Sequence, residues 1–264
     1  MSDTPVGSPA PAAVERDDWD THWENFAEAA ARNPAQSFRR RVVLGLLGAH
    51  GEPRRYLDIG SGQGDLAADV SRRWPGADVA GIELSAKGVA LASAKVPRGR
   101  FEQVDLLAEA APSEGLAGWA THATCSEVLE HVDEPEAFLR SAARWLAPGA
   151  TLVVTVPGGD RSAFDIHIGH RRHYAAAELA ALLESAGFTV DECGGAGYPF
   201  FNLYRRAVIA RGDRLVEDFE KGGEVSAVAR IARATFGVLL RISPSRGRRG
   251  LQTYALATAP TDRR

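Results

Sequence analysis

Seven short apolar runs, separated by amphipathic stretches, constrain this chain more than any other feature. In order they read YLDIG (56–60), ADVAGIE (77–83), GRFEQVD (99–105), ATHATCSE (120–127), ATLVVTV (150–156), FTVDEC (188–193) and LQTYALATA (251–259). Between the first six lie segments of helical period: DLAADVSRRW (65–74), SAKGVALASAKV (85–96), a short LLAEAAP (106–112), PEAFLRSAARWL (135–146) and AAELAALLESAG (176–187). Strands that alternate with helices are joined by crossovers, which predicts an α/β fold with a largely parallel sheet and helices on both faces. At 264 residues the chain can bury a sizeable core in one large domain.

The flanks do not follow that rhythm. Residues 1–14 are small and Pro-rich, and are expected to form a disordered tail. From residue 15 to 51 two helices are expected, the first carrying Trp19, Trp23, Phe26 and Ala30 and the second running from about Ala35 to His50. Residues 52–196 form the α/β core. Residues 197–250 interrupt it as a helical insertion, FFNLYRRAVIARGDRLV and SAVARIARATFGVLLRI separated by a polar GDRLVEDFEKGGE stretch. Residues 251–264 are the last strand and a tail. A net charge of −3 argues against nucleic acid as the main partner, and the scattered arginines of SFRRR and RRGLQTY read as a solvated face. Cys125 and Cys193 match no disulfide framework or zinc spacing, so a reduced, cytoplasmic setting is expected. No run of about 18 apolar residues is present to span a membrane.

The first strand carries one acid, Asp58, then breaks into Gly60-Ser61-Gly62-Gln63-Gly64 and a helix. Bare glycines let a ligand approach the backbone, and open α/β sheets bind ligands at the carboxyl ends of their strands. Glu83 ends the second strand and Asp105 the third, so three acids share one sheet edge. A dinucleotide site takes G-x-G-x-x-G, but the spacing here is G-x-G-x-G, and Asp58 would repel a pyrophosphate.

These residues resemble motif I of the class I S-adenosylmethionine-dependent methyltransferases. The resemblance covers about 56–190: LDIGSGQGDLA, GIELS, FEQVDLL and CSEVLEHVDEPEAFLRSAARWLAPGATLVVTVP are similar to the small-molecule enzymes related to the ubiquinone-biosynthesis type. It implies a Rossmann-like, seven-stranded, mostly parallel sheet with an antiparallel last strand. It also implies a cofactor site: Asp58, Gly60, Ser61, Gly62 and Gly64 at the methionine end, and Glu83 with Leu84 at the ribose. Asp105 with Leu106 would lie at the adenine, and Ser126 with Glu127 beside the sulfonium. The cofactor implied is S-adenosyl-L-methionine, with S-adenosyl-L-homocysteine as product.

Methyl transfer to a neutral nucleophile wants a base, and histidine titrates in the useful range. His131 follows Glu130 at the active edge, and reads equally as a structural histidine. His170 lies in FDIHIGHRRHY (164–174), a stretch similar to D-x-x-x-G-H-x-R-x-Y in relatives, and is the favoured base or orienting group. The alternative is that the stretch only orders a loop, Asp165 pairing with Arg172. The spacing of His167, His170 and His173 defines no metal site, so no metal is expected. Trp19 and Trp23 form either a lid or core. His173, Tyr174, Tyr198, Phe200, Phe201 and Tyr204 are candidates for the acceptor pocket, core packing being the alternative for the insertion aromatics.

The function expected is methyl transfer to a small, apolar, natural-product-like or quinone-like acceptor, at oxygen first and at nitrogen or carbon as alternatives, a modified peptide among the acceptors. An NAD-dependent oxidoreductase, a cofactor-binding protein without turnover and an RNA methyltransferase are the rivals.

Overall fold

The computed structural model describes residues 19–20, 33–108, 111–220 and 227–261. Asn33-Pro34 opens the first long helix, α1 (Pro34–Leu47): the Asn33 side chain accepts from the Ala35 amide, and proline fills the first turn, where no amide is needed. A 3-10 turn, Gly48–His50, completes the stretch expected to run on to His50. The alternation then unfolds as read: β1 (Arg55–Ile59), α2 (Asp65–Arg73), β2 (Asp78–Glu83), α3 (Ala86–Lys95), β3 (Arg100–Gln103), β4 (Ala120–Ser126), α4 (Pro135–Ala142) and β5 (Leu146–Pro157). After these come α5 (Ala163–His167), α6 (Ala176–Ser185), β6 (Thr189–Ala196), α7 (Phe200–Glu220), α8 (Ala227–Ile242) and β7 (Gln252–Thr258). Two details differ from the sequence reading. The stretch after β3 is a turn at Leu106–Ala108 rather than a helix. Helix α7 runs through most of the polar stretch expected to separate the insertion helices.

The sheet order is β3-β2-β1-β4-β5-β7-β6, with β7 antiparallel to both neighbours. Strand order reverses between β1 and β4, and the crevice at that switch point is where open sheets take ligands. Parallel register sets Asp58 opposite both Gly81 and Thr124, and Glu83 opposite Gln103, so from β1 to β3 each acid stands two residues further toward the carboxyl edge than the one before.

Two apolar cores flank the sheet. One holds Leu57, Ile59, Leu129, Leu139 and Trp145 under α4 and α6. The other holds Phe38, Val42, Tyr56, Val70, Phe201 and Leu240. Phe201 of α7 stacks on Phe38 of α1 at 5.0 Å between ring centres. Each such fully buried large side chain contributes about 1.5–3 kcal/mol. The insertion helices therefore share a core with α1. No helix among the described residues is long and apolar enough to cross a membrane.

Candidate functional site

Two adjoining cavities lie at the carboxyl ends of β1–β4, of about 160 and 320 Å3. Trp19, Gly60, Glu127 and His131 line both. The smaller is mainly apolar: Ile82, Leu84, Leu106 and Val128 face it together with Glu83 and Asp105, and Arg171 also lines it. The larger is polar, with Asp58, Ser61, Gly62, Ser126, Glu130 and His170 on its wall.

The glycine loop is built to be short and tight. Gly60 has φ +70°, and a Cβ there would stand 2.4 Å from a Val128 methyl. Gly64 has φ +79°, and its Cβ would meet the Ala92 backbone at 2.7 Å. Gly64 thus lets α2 and α3 pack closely and lines neither cavity, unlike its expected place at the cofactor.

The loop amides are already used. Gly60 and Ser61 donate to the Ile82 carbonyl at 2.8 and 3.2 Å, Gly64 donates to Ser61 at 2.9 Å, and Gly62 donates to Glu83 Oε2 at 2.8 Å. A phosphate would have to break these bonds, so the spacing argument against a pyrophosphate has a structural counterpart. Glu83 Oε1 also accepts from the Ser85 amide at 3.0 Å, and burial raises its pKa. Gly88, not singled out in the sequence, makes room for that carboxylate: a Cβ would lie 2.9 Å from Glu83 Cγ.

Asp58 is buried beneath the loop. Its Oδ1 accepts from Thr124 Oγ1 at 2.8 Å, and Thr124 in turn takes the Tyr56 hydroxyl proton at 2.6 Å. Burial pushes the Asp58 carboxyl up to about 7, against the hydrogen bonds from Thr124, Tyr56 and the Ala67 amide. Asp105 folds back to accept from the Leu107 amide at 2.9 Å. Ser126 shares a 2.8 Å hydrogen bond with Thr155. Glu127 has φ +58°, the only positive value outside glycine among the described residues. Its side chain pairs with Arg39 Nε at 2.8 Å and accepts from Gln252 Nε2 at 2.7 Å.

Arg39, Arg40 and Arg205 line the larger cavity, so part of SFRRR faces the site rather than solvent. Asp20 accepts from Ser85 Oγ and the Lys87 amide, and so seats Trp19 edge-on against His131, 4.7 Å between rings. Trp23 lies outside the described residues.

His131 and His170 meet edge to face at 4.7 Å. Burial, with the neighbouring His131, pushes His170 down to about 2, so its ring is neutral. Behind it Asp165 pairs with Arg205 of α7 through two bonds of 3.0 and 2.8 Å, both side chains being at least 94% buried. This replaces the expected pairing with Arg172, which donates instead to the Asp133 carbonyl. Burial would raise the Asp165 carboxyl, but Arg205 and Ser162 hold it well below the usual range. Glu130 is fully buried; burial and the Glu127 charge raise its carboxyl, and Oε2 has no hydrogen bond among the described residues.

Of the proposed pocket residues, Trp19 and Tyr204 line a cavity. Tyr174 is buried in the core with its hydroxyl on the Leu129 carbonyl, and Phe201 is wholly buried against Phe38. Phe200 packs on the same core, Tyr198 is half exposed, and His173 stands behind His170. None of these five lines either cavity. An aromatic run such as YPFFNLY carries no polar period to say which ring turns inward, which is why its faces were ambiguous.

Two groups of three possible ligands converge within 4.8 Å, although no metal was expected: Glu130 with His131 and His170, and Asp165 with His170 and His173. The second is spent on its own bonds to Arg205, Gly159 and between the rings. The first offers a carboxylate and two imidazoles that a divalent cation could take.

A family model described as "Methyltransferase domain" matches residues 26–193. The chain belongs to that methyltransferase family. Curated relatives agree. A ubiquinone biosynthesis O-methyltransferase of Psychrobacter arcticus is 31% identical over 181 residues, 61% of this chain and 66% of that protein. The one of Xanthomonas euvesicatoria is 30% identical over 197 residues, 66% of this chain and 77% of that protein. So this methyltransferase spans just under two thirds of the first relative's length. The Burkholderia thailandensis 1,6-didemethyltoxoflavin-N1-methyltransferase, solved with bound 1,6-didemethyltoxoflavin and S-adenosylhomocysteine, superposes at TM-score 0.58 over 99% of this chain and 94% of its own. At 19% identity that likeness shows the fold alone.

Proposed function

We propose that this methyltransferase uses S-adenosylmethionine to methylate a hydroxyl of a small, largely apolar acceptor of quinol or natural-product type. The observation that carries the reading is the division of the crevice. An apolar cavity with Glu83 and Asp105 suits an adenosine, and a polar one with Asp58, Arg39 and Arg40 suits an amino acid end. The residues fit such a cofactor: Glu83 offers acceptor oxygens to a ribose diol, Asp58 a carboxyl to an ammonium, and the arginines charge to a carboxylate. When bound, the cofactor supplies a methyl group made electrophilic by its sulfonium. The chain does the rest by placement. Trp19 and Glu127 stand at the junction of the two cavities. His131 lies at the same junction and His170 on the larger cavity, where the neutral His170 ring accepts a hydrogen bond from the acceptor hydroxyl and so orients it, the hydroxyl proton leaving to solvent. The names of the curated relatives favour oxygen over nitrogen or carbon.

Calorimetry with S-adenosylhomocysteine and with NAD tests the cofactor, and methyl-labelled S-adenosylmethionine with a panel of catechols and hydroxyquinones tests the acceptor. Binding of NAD but not S-adenosylhomocysteine would overturn the reading. Binding without any labelled product across hydroxyl, amine and carbon acceptors would leave a cofactor-binding protein. The Glu130–His131–His170 group favours a second reading, in which a divalent cation assists the acceptor. Turnover abolished by chelation and restored by added Mg2+ or Zn2+, with cofactor affinity unchanged, would select it.

A further inference from the structure

Hydrogen-bond polarity runs in one direction along the histidines behind the larger cavity. The chain of contacts begins at the Gly159 carbonyl, which can only accept. It lies beside Gly158, whose amide is fixed to the Leu251 carbonyl at 2.9 Å. His173 Nδ1 stands 3.0 Å from the Gly159 oxygen and so must donate to it. A neutral His173 that carries its proton on Nδ1 has a bare Nε2. That nitrogen lies 2.9 Å from His170 Nδ1, so His170 must donate there in turn. Burial lowers the pKa of both rings, which keeps each at a single proton. The Asp165 oxygen is 3.9 Å from His170 Nδ1, too far to compete. His170 Nε2 is left as an acceptor. It takes no hydrogen bond among the described residues, and His170 lines the larger cavity.

We propose that His173 and the Gly159 carbonyl lock His170 with its proton on Nδ1 and its bare Nε2 toward the larger cavity, so that the site takes its acceptor by an un-ionised hydroxyl and not by a carboxylate. This rests on the methyl-transfer reading for the word acceptor, but not for the tautomer. His173 is then a positioning residue: it touches neither cavity and acts through His170. The sequence placed it in the pocket; the structure puts it one step back, where second-shell partners fix ring orientation and tautomer.

The test is long-range 1H–15N correlation NMR on the full chain with 15N-labelled histidine, assigned by single His→Gln variants. Wild-type His170 is expected to show a protonated Nδ1 and a bare Nε2. In His173→Phe the acceptor is lost while a ring remains, and the His170 proton should move at least in part to Nε2. Turnover on a phenolic acceptor should then fall at least about tenfold, with S-adenosylhomocysteine affinity within about twofold of wild type. His173→Gln can donate to Gly159 and accept from His170, and should restore the wild-type tautomer. A proton on Nε2 in the wild type, or an unchanged tautomer in His173→Phe, would overturn the proposal. The tautomer is read without any methyl transfer, so its failure is distinct from that of the proposed reaction.

Discussion

A carboxyl group buried under a loop that should greet a cation is poised to exchange a proton for that cation. Asp58 has a folded-state pKa of about 7 against an ordinary 3.8, so the folded chain holds a proton that the unfolded chain has lost. On this group's account stability is full below pH 3.8 and declines as pH rises through about 7. A cofactor ammonium beside Asp58 favours the ionised form, so binding should release a proton and tighten from about pH 6 to about pH 8. Calorimetry in buffers of different ionisation heat should register that proton in the wild type and lose it in Asp58→Asn; an identical heat in all buffers would show that Asp58 is ionised beforehand. Gly88 makes a second case. Gly88→Ala drives a methyl against Glu83 Cγ and the Gly62 carbonyl, at 2.9 and 3.1 Å. It should cut S-adenosylhomocysteine affinity about tenfold or more while the melting temperature moves little, because the clash falls on the carboxylate's rotamer and not on the core. Asp58, Glu83 and Asp105 were legible because strand ends and acids are read directly along the chain. Gly88 was not, since a glycine inside a helix signals nothing until its neighbour across the turn is known.

Between elements, the contact of most consequence is the Asp165–Arg205 pair, which ties the segment after β5 to α7. The Ser162 amide and hydroxyl complete the set of donors on Asp165 Oδ2, at 2.7 Å each. Arg205→Met removes the guanidinium and strands a buried carboxylate, so a loss of about 3–5 kcal/mol is expected. Asp165→Asn combined with Arg205→Met should recover part of it, because no charge is then left unpaired. Urea or thermal unfolding measures both, and equal losses in the single and double variants would mean that the pair carries little of the insertion's attachment. The sequence suggested Arg172 as the partner because it lies seven positions away in a recognisable stretch; Arg205 lies 40 positions away on an element whose packing face the sequence left open. Helix existence was legible from period, and helix docking was not, since two arginines of equal charge differ only in where the fold delivers them. Arg39 and Arg40 follow the same logic, their charge visible and their direction set only by the packing of α1.

For the molecule as a whole, the last strand is the piece on which the others depend. β7 lies between β5 and β6 and pairs with both, so a chain ending after Gly250 would lose two ladders and leave β5 with a bare edge. Such a chain should show no cooperative thermal transition by circular dichroism. A sigmoidal melt near that of the full chain would refute this. The resemblance implied a mostly parallel seven-stranded sheet with an antiparallel last strand, but the order β3-β2-β1-β4-β5-β7-β6 was not read from the sequence, because periodicity identifies strands without ordering them. The first residue of β7 reaches further still. Gln252 bonds both to Arg39, 213 positions earlier, and to Glu127 at the junction of the two cavities. Glu127 therefore gains this partner only once β7 has docked between β5 and β6, so closing the sheet and setting the carboxylate where the two cavities meet are one event.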